Sequence, residues 1–374
     1  MGDTTVPETA TSLVLDAFNE PLRLDKTPMP KITPPGSVVV RVLSTTVRPH
    51  NRAGFAGKSP LSLPVPYNPG DSGIGRVISV GPDASAVQPG QLVYLNGFFV
   101  ARDNPGNTRV LLGLHDGGGP KADAQLFHLW QGLWRDVAVF PLENVIPLNE
   151  KVLMNDMGYS YGDLNYLQRL SVAYGGIRAA GLGAGETVIV APATGHFSGA
   201  VVEIAAQIGC RVIALSRSAS KLKPLTDLHS RVIPVELTGD EKTDVANIQA
   251  IVPSGADAFI DVSPPEATGS AHHLNVSLNS LRSFGRAVFL GLMGDVKISY
   301  ASLVVRSITI KAQFMFSREE LTDLVKLIEN GVLKLGKGAG HEIVEEGLSM
   351  EEWEKAVTVA ETAMKWGQQV LIYP

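Results

Sequence analysis

The run "TVIVAPATGHFSGAVVEIAAQIGCRVIALSR", residues 187–217, limits the possible folds more than any other stretch. A short run of β-branched residues ends at Pro192, small residues make a turn, an apolar helical pattern follows, and a second apolar run begins. Strands that are apolar on both faces and alternate with helices form a parallel sheet covered on both sides. A strand-to-helix turn in such a sheet uses small residues for three purposes: tight turning, backbone approach to a pyrophosphate, and close helix packing. The three places here read Ala193, Gly195 and Ser198, with Gly199 next. The fingerprint is degenerate, but its setting of strand, turn, helix and strand is the required one. The free N–H groups and partial positive charge of the helix start would hold a phosphate. We therefore read the turn as dinucleotide-binding. A structural turn in a fold that has lost its cofactor stays open.

The end of the second strand selects between dinucleotides. An acidic residue there bonds the ribose hydroxyls of NAD and repels a 2′-phosphate. This chain has Ser216 and Arg217, with Ser218 and Lys221 close behind. A hydroxyl and a guanidinium fork suit a phosphate monoester, so NADP(H) is expected over NAD(H). Arg217 simply projecting into solvent is the alternative.

At 374 residues the chain exceeds one comfortable core, and two domains are expected. A net charge of −5 and the lack of basic runs argue against nucleic acid or an anionic membrane as partner. The single cysteine, Cys210, excludes an intramolecular disulfide and any zinc site needing two sulfurs from this chain. No run approaches the length of a membrane span, and the N-terminal residues lack a signal-peptide pattern. A cytoplasmic location is the expectation. The sequon at Asn275–Ser277 is then a chance match.

Residues 37–48, 74–80 and 91–95 read as strands between Pro/Gly turns, which indicates a β-rich first unit. Residues 96–135 break that rhythm with three consecutive glycines at 117–119 and with Phe98, Phe99, Phe127, Trp130 and Trp134. They read as a long ordered excursion, a lid or binding loop or else surface decoration, and its aromatics suit either a pocket wall or core packing. Residues 161–181 read as one helical stretch, and strands and helices alternate after it. Helices are expected near 199–209, 266–282 and 317–333, and strands at 257–263, 286–293 and 307–316. The segment 341–374 reads as strand, helix, strand.

The segments "PGDSGIGRVISVG", "QPGQLVY", "SVAYGGIRAAGLGAGETVIVAPATG", "GCRVIALSRS", "GRAVFLGLMG" and "GQQVLIY" resemble the medium-chain dehydrogenase/reductase superfamily over nearly the whole chain. "ETVIVAPATGHFSGA" is similar to its fungal zinc-independent, alcohol dehydrogenase-like members. The resemblance implies an α/β fold, a doubly wound Rossmann domain over 156–334 inserted in a GroES-like barrel domain over 1–155 and 335–374, with the active site in the cleft. It implies cofactor contacts from Tyr174, Ala193, Thr194, Gly195, His196, Phe197, Ser198, Ser216, Arg217, Lys221, Val262, Leu290, Gly291 and Leu292. It also implies a homodimer formed by edge pairing of 307–316.

The stretch "PVPYNPGDSGIGRVISVG", residues 64–81, poses the chemical question. Zinc members carry Gly-His-Glu where this chain has Gly70-Asp71-Ser72, and a cysteine in the segment that reads "TTVRPHNRAG" here. They also carry a four-cysteine lobe, absent from 96–135. No metal is expected. Without one, charge on a substrate oxygen needs hydrogen-bond donors or a proton source. The candidates are Arg48, His50, Tyr67, Asp71 and Tyr94, each with a surface, capping or packing role as the alternative. Asp71 is read as a turn or orienting residue. The adjacent His272 and His273 point two ways around a helix, which is not ligand spacing. The expected function is NADPH-dependent, zinc-independent reduction of an activated C=C or C=O in a small organic molecule, with secondary metabolism as one setting. A ketone reductase, a non-redox cyclase or isomerase, and a binding protein on the same fold are the rival readings.

Overall fold

The strand "SVVVRVLSTTV", Ser37–Val47, is buried along nearly its whole length because its β-branched side chains pack on both faces. It anchors the first of two compact units in a computed structural model that describes residues 5–59, 63–115, 121–269 and 271–374. The glycines at 117–119 lie outside the described residues. The first unit comprises Met1–Gln168, Glu342–Met364 and Gln368–Pro374, and the second Arg169–His341 with Lys365–Gly367.

In chain order, β1 (Thr9–Val14) and β2 (Arg23–Pro28) form an antiparallel hairpin. Next come β3 (Ser37–Val47), α1 (Asn51–Phe55), β4 (Gly73–Val80) and β5 (Leu92–Leu95). A small hairpin, β6 (Phe98–Val100) and β7 (Arg109–Leu111), precedes α2 (Lys121–Leu129), β8 (Val137–Pro141) and β9 (Val145–Pro147). The expected single helix over 161–181 is two, α3 (Tyr161–Asn165) and α4 (Leu167–Ala179).

The second unit then runs β10 (Thr187–Ala191), α5 (His196–Gln207), β11 (Arg211–Ser216), α6 (Lys223–Leu228), β12 (Val232–Glu236) and α7 (Glu241–Ile251). It continues with β13 (Ala256–Asp261), α8 (His272–Asn279), β14 (Leu281–Phe289), α9 (Tyr300–Val305), β15 (Thr309–Ala312) and α10 (Arg318–Glu329). The chain closes the first unit with β16 (Glu342–Ile343), α11 (Trp353–Thr362) and β17 (Gln368–Ile372).

The first unit's main sheet has the order β16-β17-β3-β4-β5-β9, with β8 also on β3. Pairing is antiparallel except between β16 and β17. Its core holds Leu13, Leu95, Trp134 and Phe140. The second unit's sheet is parallel throughout, in the order β12-β11-β10-β13-β14-β15. This is the doubly wound α/β class, with the parallel-sheet unit inserted in the chain of the β-rich one. Strand order reverses between β10 and β13, and ligands of such sheets bind at the carboxyl ends beside that reversal.

Several elements differ from expectation. The helix expected at 266–282 is α8 alone, because Pro264, Pro265 and Gly269 hold the preceding residues to a 3₁₀ turn and a loop. The strand expected at 307–316 shortens to β15, an edge strand with little burial and one neighbour. β12 and α7 carried no sequence expectation. Pro234 within β12 is tolerated because β12 is the opposite edge.

Candidate cofactor and active-site residues

The turn from β10 into α5 is built by its own side chains. Gly195 caps the helix, and its N–H donates to Ser198 Oγ at 2.9 Å. Helix α5 starts at His196, three residues before the sequence pattern, so Gly195–Ser198 form its first turn. The first N–H groups of any helix lack intrahelical partners and can meet an anion. The packing role expected of the third place, Ser198, falls to its neighbour Gly199. A Cβ there would come 2.5 Å from the Trp366 ring, whose Nε1 donates to buried Glu203 of α5 at 3.1 Å. Ser198 acts as a cap instead. Ala193 is fully buried, Thr194, His196 and Phe197 are half-buried, and the Arg169 guanidinium lies 5.9 Å from the Phe197 ring centre.

At the end of β11, Ser216 accepts a bond from the Ser218 N–H at 3.1 Å. Arg217 and Lys221 are exposed, and neither forms an ion pair among the described residues. Glu236, opposite Ser216 on β12, is engaged by the Ala219 N–H at 2.7 Å.

Beyond β13 and β14 the chains stay strapped together. Leu290 N–H donates to Asp261 O at 2.9 Å and Leu292 N–H to Ser263 O at 3.0 Å. Gly291 lies flush on this rim, since a Cβ there would come 2.5 Å from Ser263 O. Val262 N–H reaches Ala191 O on β10 at 3.3 Å. The paired glycines of α4 serve close approach as well. A Cβ on Gly176 would meet Leu290, and one on Gly175 the Met315 carbonyl. Tyr174 beside them is buried, which raises its phenol pKa.

In the first unit, Asp71 and Arg48 come together. Arg48 Nη2 donates to Asp71 Oδ2, Thr46 Oγ1 donates to Oδ1 at 2.8 Å, and Ser72 Oγ to Oδ2 at 3.1 Å. Burial pushes the Asp71 carboxyl up, but the Arg48 charge and the bonds from Arg48, Thr46 and Ser72 outweigh it and hold it low. Arg48 Nε is buried with no hydrogen-bond partner among the described residues. Asn51 fixes the Arg48 backbone through its Oδ1, which accepts the Arg48 N–H at 2.6 Å. Sequence reasoning listed Arg48 and Asp71 but not Thr46 and Ser72, whose hydroxyls complete the site.

His50, which precedes α1, is exposed and makes no bond to Asp71. Tyr94 is buried in β5, among the residues of the core. Tyr67 lines a small cavity with Asn68, Phe127, His128 and Trp130, and burial raises its phenol pKa. Of the aromatics in 96–135, Phe127 and Trp130 line that cavity, whereas Phe98, Phe99 and Trp134 are core.

The donors at Arg48–Asp71 do not make a zinc site. Asp71 already has a guanidinium on it, and a second cation beside Arg48 would be repelled. Cys210 lies in the second unit, where burial pushes its thiol up to about 11 and it donates to Gly183 O. No group of three or more His, Cys, Asp or Glu with metal-binding geometry occurs among the described residues.

Residues 34–150 match the family model of the alcohol dehydrogenase GroES-like domain, and residues 198–330 that of the zinc-binding dehydrogenase. Alcohol dehydrogenase 1 of Emericella nidulans is 23% identical over 340 residues, covering 88% of this chain and 90% of its own. Among solved structures, AibC superposes with a TM-score of 0.77 at 20% identity, over 98% of this chain and 96% of its own. A Sinorhizobium meliloti 1021 protein solved with NADP superposes at 0.74 and 16% identity, over 98% and 100%. With both domain models matched in order along one chain, and the folds they describe present in its two units, the protein belongs to the medium-chain dehydrogenase/reductase superfamily of oxidoreductases.

Proposed function

We propose that this protein is an NADPH-dependent, zinc-independent oxidoreductase that reduces a C=C conjugated to a carbonyl, or a carbonyl itself, in a small or medium-sized organic molecule. NADPH, when bound, supplies the hydride. The turn Ala193–Gly199 would hold the pyrophosphate, and Ser216, Arg217 and Lys221 the 2′-phosphate. What supports NADPH over NADH is the absence of an acidic residue at the β11 end, with exposed Arg217 next to Ser216 in the chain and exposed Lys221 on the 3₁₀ turn that follows, neither in an ion pair among the described residues.

Arg48 takes the part a metal plays in zinc relatives. Its charge is held in place by Asp71, and the 15% of its side chain that stays exposed lets that charge face an oxygen gaining negative charge. Of the two tyrosines considered, Tyr67 borders a cavity and burial keeps its phenol neutral, so it is our proton donor.

Fluorescence titration with NADPH and NADH tests the cofactor reading. Wild-type protein is expected to prefer NADPH. Arg217→Ala should weaken NADPH binding by about 10–100-fold, as loss of a charge-assisted bond implies, and leave NADH unchanged. Failure to bind either nucleotide would sink the oxidoreductase reading.

We also propose a homodimer built on β15. Among the described residues this strand ends its sheet with one edge unpaired, and Phe284, Tyr300 and Val305 are 72%, 79% and 84% exposed. Phe284 N–H bonds Arg306 O, which places that ring beside the end of α9. A second copy pairing edge to edge would cover these side chains. Sedimentation velocity should show a dimer that Val305→Asp converts to monomer. A monomeric wild type at every concentration tested overturns the assignment.

A further inference from the structure

The carboxyl end of β13 carries three polar side chains in contact, with roles the cofactor assignment leaves open. Asp261 closes the strand in register with Ala191 of β10. Ser263 Oγ donates to Asp261 Oδ1 at 2.5 Å and lies 2.7 Å from His273 Nε2, which is itself 3.4 Å from Asp261 Oδ1. Asp261 and Ser263 are buried, and the His273 side chain is 12% exposed.

The directions of these bonds follow from the donors available. The one hydroxyl proton of Ser263 goes to the carboxylate, so the Ser263–His273 bond must be donated by the imidazole. His273 therefore carries its proton on Nε2. The hydroxyl proton is not directed at the imidazole, so His273 is not placed as a general base for Ser263. What remains is a chain of bonds, imidazole to hydroxyl to carboxylate, that fixes the shape of residues 261–263.

That shape is what Leu290–Leu292 rest on. Their two backbone bonds go to the carbonyls of Asp261 and Ser263, and a Cβ on Gly291 would come 2.7 Å from Asp261 Oδ2 itself. A dinucleotide spans the crevice where strand order reverses, one half to each side. The β10 turn and the β11 end take the phosphates and the adenosine half, so the β13–β14 rim faces the other half. We infer that Asp261, Ser263 and His273 form a positioning network that holds the rim of Val262 and Leu290–Leu292 for the nicotinamide half of the cofactor. This rests on the cofactor reading above.

Calorimetric titration with two ligands tests it: NADPH, and 2′,5′-ADP, which has the phosphates and adenosine but no nicotinamide. Ser263→Ala and His273→Leu are expected to weaken NADPH by about tenfold, the value of one lost buried hydrogen bond, and to leave 2′,5′-ADP unchanged. His273→Gln keeps an N–H donor and should recover most of the NADPH affinity. Equal weakening of both ligands would mark a merely structural role and overturn the inference, as would no change in either. If 2′,5′-ADP binds the wild type but NADPH binds no tighter, this assignment alone fails. If neither ligand binds, the cofactor reading falls and takes it along.

Discussion

Asp71→Leu is expected to lower the stability of the protein by about 3–5 kcal/mol, the cost of leaving a buried charge without its partner. The Arg48 and Asp71 side chains are only 15% and 8% exposed, so water cannot replace the lost carboxylate around the guanidinium. Changing both residues, Arg48→Met with Asp71→Leu, removes both buried charges and should cost far less than Asp71→Leu alone. Urea unfolding of the single and double variants measures the difference. Equal losses would mean that the two charges are not coupled. The pH dependence has a definite sign. Asp71 is held below the ordinary carboxylate range, so the pair stabilises the fold above that range and is lost as pH falls through the depressed value. The wild type should therefore show the steeper acid limb, and the double variant the flatter one.

Arg48→Met is expected to lower kcat/KM by about 10²–10³, the usual effect of deleting one donor to a developing oxyanion, with NADPH affinity unchanged. The measurement uses the fastest substrate from a panel of enones, quinones and ketones, well below the melting temperature of the variant. Arg48→Lys keeps the charge but loses the planar fork that meets Asp71, and an intermediate rate is expected. A wild-type rate in Arg48→Met would remove the arginine from the chemistry and leave it a structural partner of Asp71.

The second unit was the more legible half because its buried strands are nearly unbroken apolar runs, as at Thr187–Ala191 and Arg211–Ser216. Its edges were not. Strand β12 is five residues long, interrupted by exposed Pro234 and buried only at Val232 and Val235, and α7 buries only Asp244 and Ile248, so neither carries a clear periodic pattern. Arg48 and Asp71 were both nameable from the segments that hold ligands in zinc relatives, but their contact spans 23 residues and depends on β3 and β4 pairing. The burial of Tyr94 was hidden for the opposite reason. Alternation along a strand does not say which face is core when both faces are covered, and β5 is buried at every position. His273 was visible only as half of a pair with non-ligand spacing. Its neighbour turns to Asp244 at 2.6 Å while His273 turns to Ser263, a split that needs the third dimension.

Strand β17 has a consequence for how the protein is made. Val370, Leu371 and Ile372 pair with Val47, Thr46 and Thr45, the last turns of backbone before Arg48. On the ribosome those three residues of β3 emerge early, while their partners follow only after the entire parallel-sheet unit, a wait on the order of tens of seconds. Throughout that interval the nascent chain carries an open strand edge next to the segment that bears the buried arginine. Newly made chains are therefore most prone to aggregation, and most dependent on chaperones, before β17 arrives. The Arg48–Asp71 pair gains its full support only once β17 has been made and has paired with β3.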